Sequence, residues 1–327
     1  MPPLQIKYKV NFLKNNITAP ALLIAAMSAL ILFQRVLFNY ALYTETPDMP
    51  ERYIIYNGAK YLPDRFFIFA FIACIFAFVI PVLFYIRLFK SEGYTKELYF
   101  KLPDPKNTML VIYASGALIS GTAFLSSLIY YMGGSPELIE TVIDAGGNPV
   151  YDISAVMAFV FIPAVCEEIM FRSVISREYE KYGALFACII SSAAYAMLRF
   201  SFILLPVYFF AGVILYILTK TTGSILFAII AHAFYNFFNI YIWGRFANVL
   251  RFEQNRLIFI FLAAVIFIIF MIALINKAEK IYFYKSYADE PAPKSPAGKF
   301  PARFTAVFFS PVLLAAVILY FICAVTA

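Results

Sequence analysis

Nine apolar runs, most of them close to 20 residues long, dominate this chain and leave it few ways to fold. A run of about 20 apolar residues spans a bilayer as a helix at about 1.5 Å per residue. In hydrocarbon the backbone must satisfy its own hydrogen bonds, which leaves helices or closed barrels. The runs are too long and too continuous for barrel strands. They fall at about 17–43, 66–86, 108–131, 151–171, 182–199, 201–219, 224–243, 257–276 and 304–326. The expected fold is an all-α polytopic transmembrane bundle of about eight or nine spans.

Composition agrees. Of the 327 residues 63% are hydrophobic and 14% charged, against about 45–50% and 25% in a soluble domain. That excludes a soluble enzyme and a disordered chain. The net charge of +7 does not argue for nucleic acid, because Lys and Arg first serve topology in a membrane protein. With the N-terminus in the cytoplasm, the inner segments carry 18 of the 26 basic residues, the outer ones 7, and Arg35 lies within a span. This expectation puts the N-terminus inside and the chain in a cell membrane, bacterial by inference. The cysteines, Cys74, Cys166, Cys188 and Cys323, lie in or beside apolar runs without CxxC spacing, and are expected to pack as small hydrophobes.

The chain divides into three parts on this reading: spans and loops over 1–150, a four-span core over 151–243, and C-terminal spans over 244–327 with a Pro-rich linker at 286–301. The loop 132–150 contains a short helical stretch, PELIETVID, among its glycines and prolines. The fifth and sixth runs are short and adjacent, as a hairpin broken near Arg199 and Phe200 would be.

Ionisable groups within spans cost several kcal/mol and mark function or a buried pair. Three clusters break the apolar pattern, all in the core. The first is Cys166-Glu167-Glu168-Ile169-Met170-Phe171-Arg172. Glu168 and Arg172 are four apart and can pair on one helix face, while Glu167 points about 100° away and is left free. Such a carboxylate could activate a water; the alternative is a solvated Glu–Arg pair at a helix end. The second is His232-Ala-Phe-Tyr-Asn236, with the chain's single histidine. His232 and Asn236 project from one face, extended by Asn239. They could hold a water or a developing oxyanion, or only join helices by a hydrogen bond. The third is Ser191-Ser192-Ala-Ala-Tyr195-Ala-Met-Leu-Arg199, with Ser191, Tyr195 and Arg199 on one face. Arg199 either snorkels to the interface or pairs with a buried carboxylate.

Together these residues resemble the CPBP group of intramembrane proteases, which includes type II CaaX prenyl endopeptidases and bacteriocin-processing, self-immunity and abortive-infection-like proteins. The resemblance rests on Glu167-Glu168-x-x-x-Arg172, on His232-x-x-x-Asn236, and on the stretch from Ala211-Gly212 through Thr221-Thr222-Gly223-Ser224. It implies a helical bundle with a polar cavity opening toward the cytoplasm. It also implies that Glu167 is the base, that Glu168 is a supporting acid paired with Arg172, and that His232 and Asn236 form the oxyanion site. The substrate implied is a hydrophobic or lipidated peptide in the membrane, among lipids.

One position departs from the pattern. The second motif should read aromatic-x-x-x-His, and here it reads Tyr195-Ala-Met-Leu-Arg199. Arg has no usable acceptor and stays charged, so it can neither act as a base nor bind a metal. If Arg199 meets Glu167, it neutralises the carboxylate. A divalent metal such as zinc would be left with Glu167, Glu168 and His232, a thin set. Three functions remain open: an intramembrane endopeptidase, a catalytically silent membrane-binding or immunity protein of the same fold, and a small-molecule or lipid transporter. Straight helices would set Glu167, His232 and Arg199 at different depths, so their convergence requires a tilted or broken helix over 182–201. Phe171, Phe234 and Phe238 are expected to line the cavity.

Overall fold

A computed structural model describes residues 19–42, 54–56, 59–89, 102, 104–133, 149–180, 182–243, 252–288, 305 and 307–326. Nine apolar helices stand among the described residues, one for each apolar run. They are α1 (Ala19–Ala41), α2 (Pro63–Arg87), α3 (Pro105–Tyr131), α4 (Pro149–Glu180), α5 (Ala184–Met197), α6 (Leu205–Thr222), α7 (Ile225–Ile242), α8 (Glu253–Ala288) and α9 (Pro311–Thr326). Seven are long and apolar enough to cross a membrane; α5 and α9 are shorter. The chain is an integral membrane protein with an all-α polytopic fold. Its one sheet among the described residues is a small hairpin before α2, with β1 (Ile54–Tyr56) antiparallel to β2 (Ala59–Tyr61).

Three boundaries differ from the expected ones by seven residues or more, among them the start of α9 at Pro311 in place of 304. The span expected at 151–171 runs nine residues further, through Glu180. Helix α8 continues through Ala288 and takes in the first residues of the expected linker. The rest of that linker and the PELIETVID stretch lie outside the described residues.

Helix α4 is distorted on both sides of its carboxylates. Pro163 has no N–H to give the preceding turn, and the backbone just upstream is π-helical over Val156–Phe161. A second π-helical stretch, Ile169–Ile175, follows Glu168 directly. Such turns re-aim side chains by about one residue per turn and recur at functional sites. Here they bury Glu167, Glu168 and Arg172 together.

The expected break after α5 is present. The helix ends at Met197, and Phe200 takes a φ of 48°, which a bulky residue adopts only when its surroundings hold it. Phe200 is buried, Ser201 Oγ accepts from the Leu204 amide, and the Tyr320 hydroxyl of α9 donates to the Ser201 carbonyl at 2.9 Å. Because α5 stops early, Arg199 comes to lie beside α4. The turn between α6 and α7 is equally defined. Gly223 caps α6 in the left-handed conformation at φ 69°, and the Ser224 side chain caps the start of α7 by accepting from the Leu226 amide.

Helices α5 and α6 approach closely at Gly212, where an added Cβ would lie 2.8 Å from Ser192 Cα and Cβ. Backbone cannot yield as a flexible side chain can. Gly212→Ala should therefore push the two helices apart and cost about 1–3 kcal/mol, read as a lower melting temperature in detergent. An unchanged melting temperature would count against this tight crossing. All four cysteines are free thiols, Cys74, Cys188 and Cys323 buried and Cys166 half-buried.

Candidate active site

The three polar clusters of the core meet in the bundle interior. Glu168 and Arg172 are fully buried, with Arg172 Nε 3.1 Å from Glu168 Oε2. The Arg172 guanidinium also donates from Nη2 to the Gly212 carbonyl at 3.1 Å and lies over the Tyr195 ring at 4.9 Å. It thereby ties α4 to α5 and α6.

Glu167 is not left free. Arg199 Nη2 donates to its Oε2 at 2.7 Å, the length of a charge-assisted hydrogen bond. Arg199 thus pairs with the buried carboxylate and does not snorkel. Its guanidinium lies over two aromatic rings, Tyr195 at 5.3 Å and Tyr208 at 5.5 Å. The depth mismatch expected for straight helices is removed by the short α5 and its break.

His232 is fully buried and bonded at both ring nitrogens. Nδ1 lies 2.9 Å from Glu168 Oε1, and Nε2 lies 3.2 Å from the Tyr195 hydroxyl. The Tyr195 oxygen also accepts from Arg199 Nη2 at 3.2 Å, so this hydroxyl bridges Arg199 and His232. Its Nε2 is 3.7 Å from Glu167 Oε2, beyond hydrogen-bond reach. One continuous chain runs from Arg199 through Tyr195 and His232 to Glu168 and Arg172.

In front of this chain lies a cavity of about 380 Å³. Glu167, Arg199 and Asn236 face it; Glu168, Arg172 and His232 lie behind its wall. Asn236 Nδ2 donates to the Val160 carbonyl at 3.3 Å, fixing the amide against α4. Only Asn236 of the expected oxyanion pair therefore meets the cavity. Of the three phenylalanines expected to line it, Phe238 does so. Phe171 is fully buried in the core, and Phe234 faces outward at 56% exposure.

Several cavity residues carry no motif. Helices α1 and α2 supply Phe33, Gln34, Cys74 and Phe78, and α6 supplies Tyr208. Gln34 offered one signal, a polar residue inside an apolar run. The hydroxyl of Tyr195 was a second, since only Tyr at the aromatic motif position can bridge His232 and Arg199.

Among the described residues, no group of three His, Cys, Asp or Glu side chains is placed to hold a metal ion. The donor chemistry agrees. Glu167 already carries a guanidinium, Glu168 is shared by His232 and Arg172, and His232 Nε2 is taken by Tyr195. A divalent cation would have to sit beside the Arg199 cation and break these bonds. The residues do not fit one.

No curated protein and no solved structure matches the chain. Residues 149–238 match the family model described as type II CAAX prenyl endopeptidase Rce1-like. That segment, α4 through most of α7, holds every side chain of the chain from Arg199 to Arg172, together with Glu167 and Asn236. Over this segment the chain is similar to the type II CAAX prenyl endopeptidases of the CPBP group of intramembrane proteases.

Proposed function

We propose that this protein takes a hydrophobic, membrane-embedded peptide into the cavity and that hydrolysis is held off by the Arg199–Glu167 ion pair. The observation that carries the reading is the 2.7 Å contact between Arg199 Nη2 and Glu167 Oε2 at the cavity wall. A general base must accept a proton from water as the water attacks the carbonyl. A carboxylate that already accepts from a guanidinium is a weaker base. Arg199 also stands where the family's second motif places a histidine, so the group expected to assist Glu167 is replaced by one that opposes it. The cavity remains suited to binding: apolar side chains such as Leu30, Phe33, Phe78 and Trp243 line it, with its charged groups gathered at Glu167 and Arg199.

A second reading is favoured by the same two residues facing the cavity together. Hydrolysis would then use Glu167 as base and the Arg199 guanidinium as the carbonyl-polarising donor.

Photo-crosslinking in proteoliposomes tests the first reading. A hydrophobic peptide with a photoreactive side chain should be captured at the cavity and recovered at its intact mass. Ala73→Phe, which fills the α2 side of the cavity, should lower capture about tenfold. Capture unaffected by Ala73→Phe would place the peptide elsewhere. Cleavage by wild type that disappears in Glu167→Gln would replace the first reading with the second.

A further inference from the structure

We infer that the Arg199 guanidinium is an anchor for a carboxylate carried at the end of an apolar chain, and that such a ligand loosens Glu167 from its latch. The inference rests on the cavity reading above and names the chemistry of the cavity's occupant.

The hydrogen bonds of Arg199 leave from one nitrogen. Nη2 serves both Glu167 Oε2 and the Tyr195 hydroxyl. Nε is buried and makes no hydrogen bond, and the side chain as a whole is 29% exposed at the cavity wall. A guanidinium has five N–H donors in a planar fork and binds carboxylates in pairs of bonds. The guanidinium is thus a cation with unspent donors at the wall of the cavity, where it is the only cationic lining residue among the described residues. The Tyr195 and Tyr208 rings pack against it at 5.3 and 5.5 Å, which leaves its edge for a ligand's hydrogen bonds. On the same wall, Asn236 and Asn239 are neutral, and Glu167 is the acidic side chain. The apolar remainder, including Phe33, Phe78 and Leu30, matches an alkyl or apolar peptide chain behind the carboxylate.

Binding has a consequence for Glu167. A second carboxylate on the same guanidinium repels the first across a region of low dielectric. The ligand therefore competes with Glu167 for Arg199, and a Glu167 released from Arg199 regains acceptor capacity toward the cavity. Two sources share the chemistry: a fatty acid, and the free C-terminus of an apolar peptide.

Trp243 makes the test direct, because it is the chain's single tryptophan and it lines the cavity. Brominated stearic acid quenches tryptophan at contact, and its primary amide is the uncharged control. In nanodiscs, with the acid ionised, the acid should quench Trp243 saturably and about tenfold more tightly than the amide. Arg199→Gln should erase the difference, and Glu167→Gln should enlarge it by removing the competitor. Displacement by an apolar peptide with a free C-terminus, but not by its amidated form, assigns the site to peptides; displacement by neither form assigns it to fatty acids. Equal, saturable quenching by acid and amide in both wild type and Glu167→Gln would overturn the carboxylate anchor and leave the cavity reading standing. Absence of saturable quenching by either probe would overturn both. Glu167→Gln keeps the inference open to refutation if Arg199→Gln fails to fold.

Discussion

Arg172→Met should cost about 3–5 kcal/mol of stability, the usual penalty for leaving a buried charge without its partner. Both side chains of the Arg172–Glu168 pair are fully buried, so water cannot replace the lost cation. The damage would spread along the chain of bonds. Glu168 also holds His232 Nδ1, and Arg172 also holds the Gly212 carbonyl where α5 and α6 touch. A fluorescence-monitored melt in detergent reads the effect. Adding Glu168→Leu should restore part of the loss, because removing both charges leaves neither unpaired. An Arg172→Met protein that melts like wild type would show that the pair does not hold the bundle together.

Arg199→His should give the protein peptide-hydrolase activity. The substitution removes the cation that occupies Glu167 Oε2 and supplies, four residues from Tyr195, the proton-handling group of the family's second motif. General acid–base assistance contributes about 10²–10⁴-fold, and a gain of that order is expected in cleavage of hydrophobic peptides in proteoliposomes. The same variant carrying Glu167→Gln should be silent. Glu167 would keep a neighbour in His232 at 3.7 Å, which can approach once Arg199 no longer holds the Tyr195 hydroxyl. Equal cleavage by wild type and Arg199→His would mean that Arg199 does not restrain the reaction. Silence in every variant would leave binding as the function of the cavity.

Much of this arrangement was legible in the sequence because its signals are local. Apolar runs marked each helix to within a few residues at most ends, since the bilayer imposes one length rule on all of them. The i, i+4 spacing of Glu168 and Arg172 specified their pair, because neighbouring turns of a helix superpose. The break at Arg199 and Phe200 could be anticipated from two short runs set side by side. Contacts between helices were not legible. The free Glu167 expected from helix geometry alone meets Arg199 from 32 residues away. His232 and Asn236 share a helix face, yet His232 is sealed behind Tyr195 while Asn236 reaches the cavity. A helical wheel gives angular position but not what stands in front of each angle. Helices α1 and α2 carry no motif, so their part in the cavity wall was visible only as Gln34.

The shortness of α5 shields the site from the membrane around it. Fourteen residues rise about 21 Å, roughly 9 Å less than a typical hydrocarbon core. Ten of the fourteen are buried in the bundle, so neighbouring helices, and not thinned lipid, make up the shortfall. The segment after Met197, which contains Arg199, therefore ends among protein side chains. The Arg199–Glu167 pair is set by helix packing, and its poise travels with the protein from one bilayer to another.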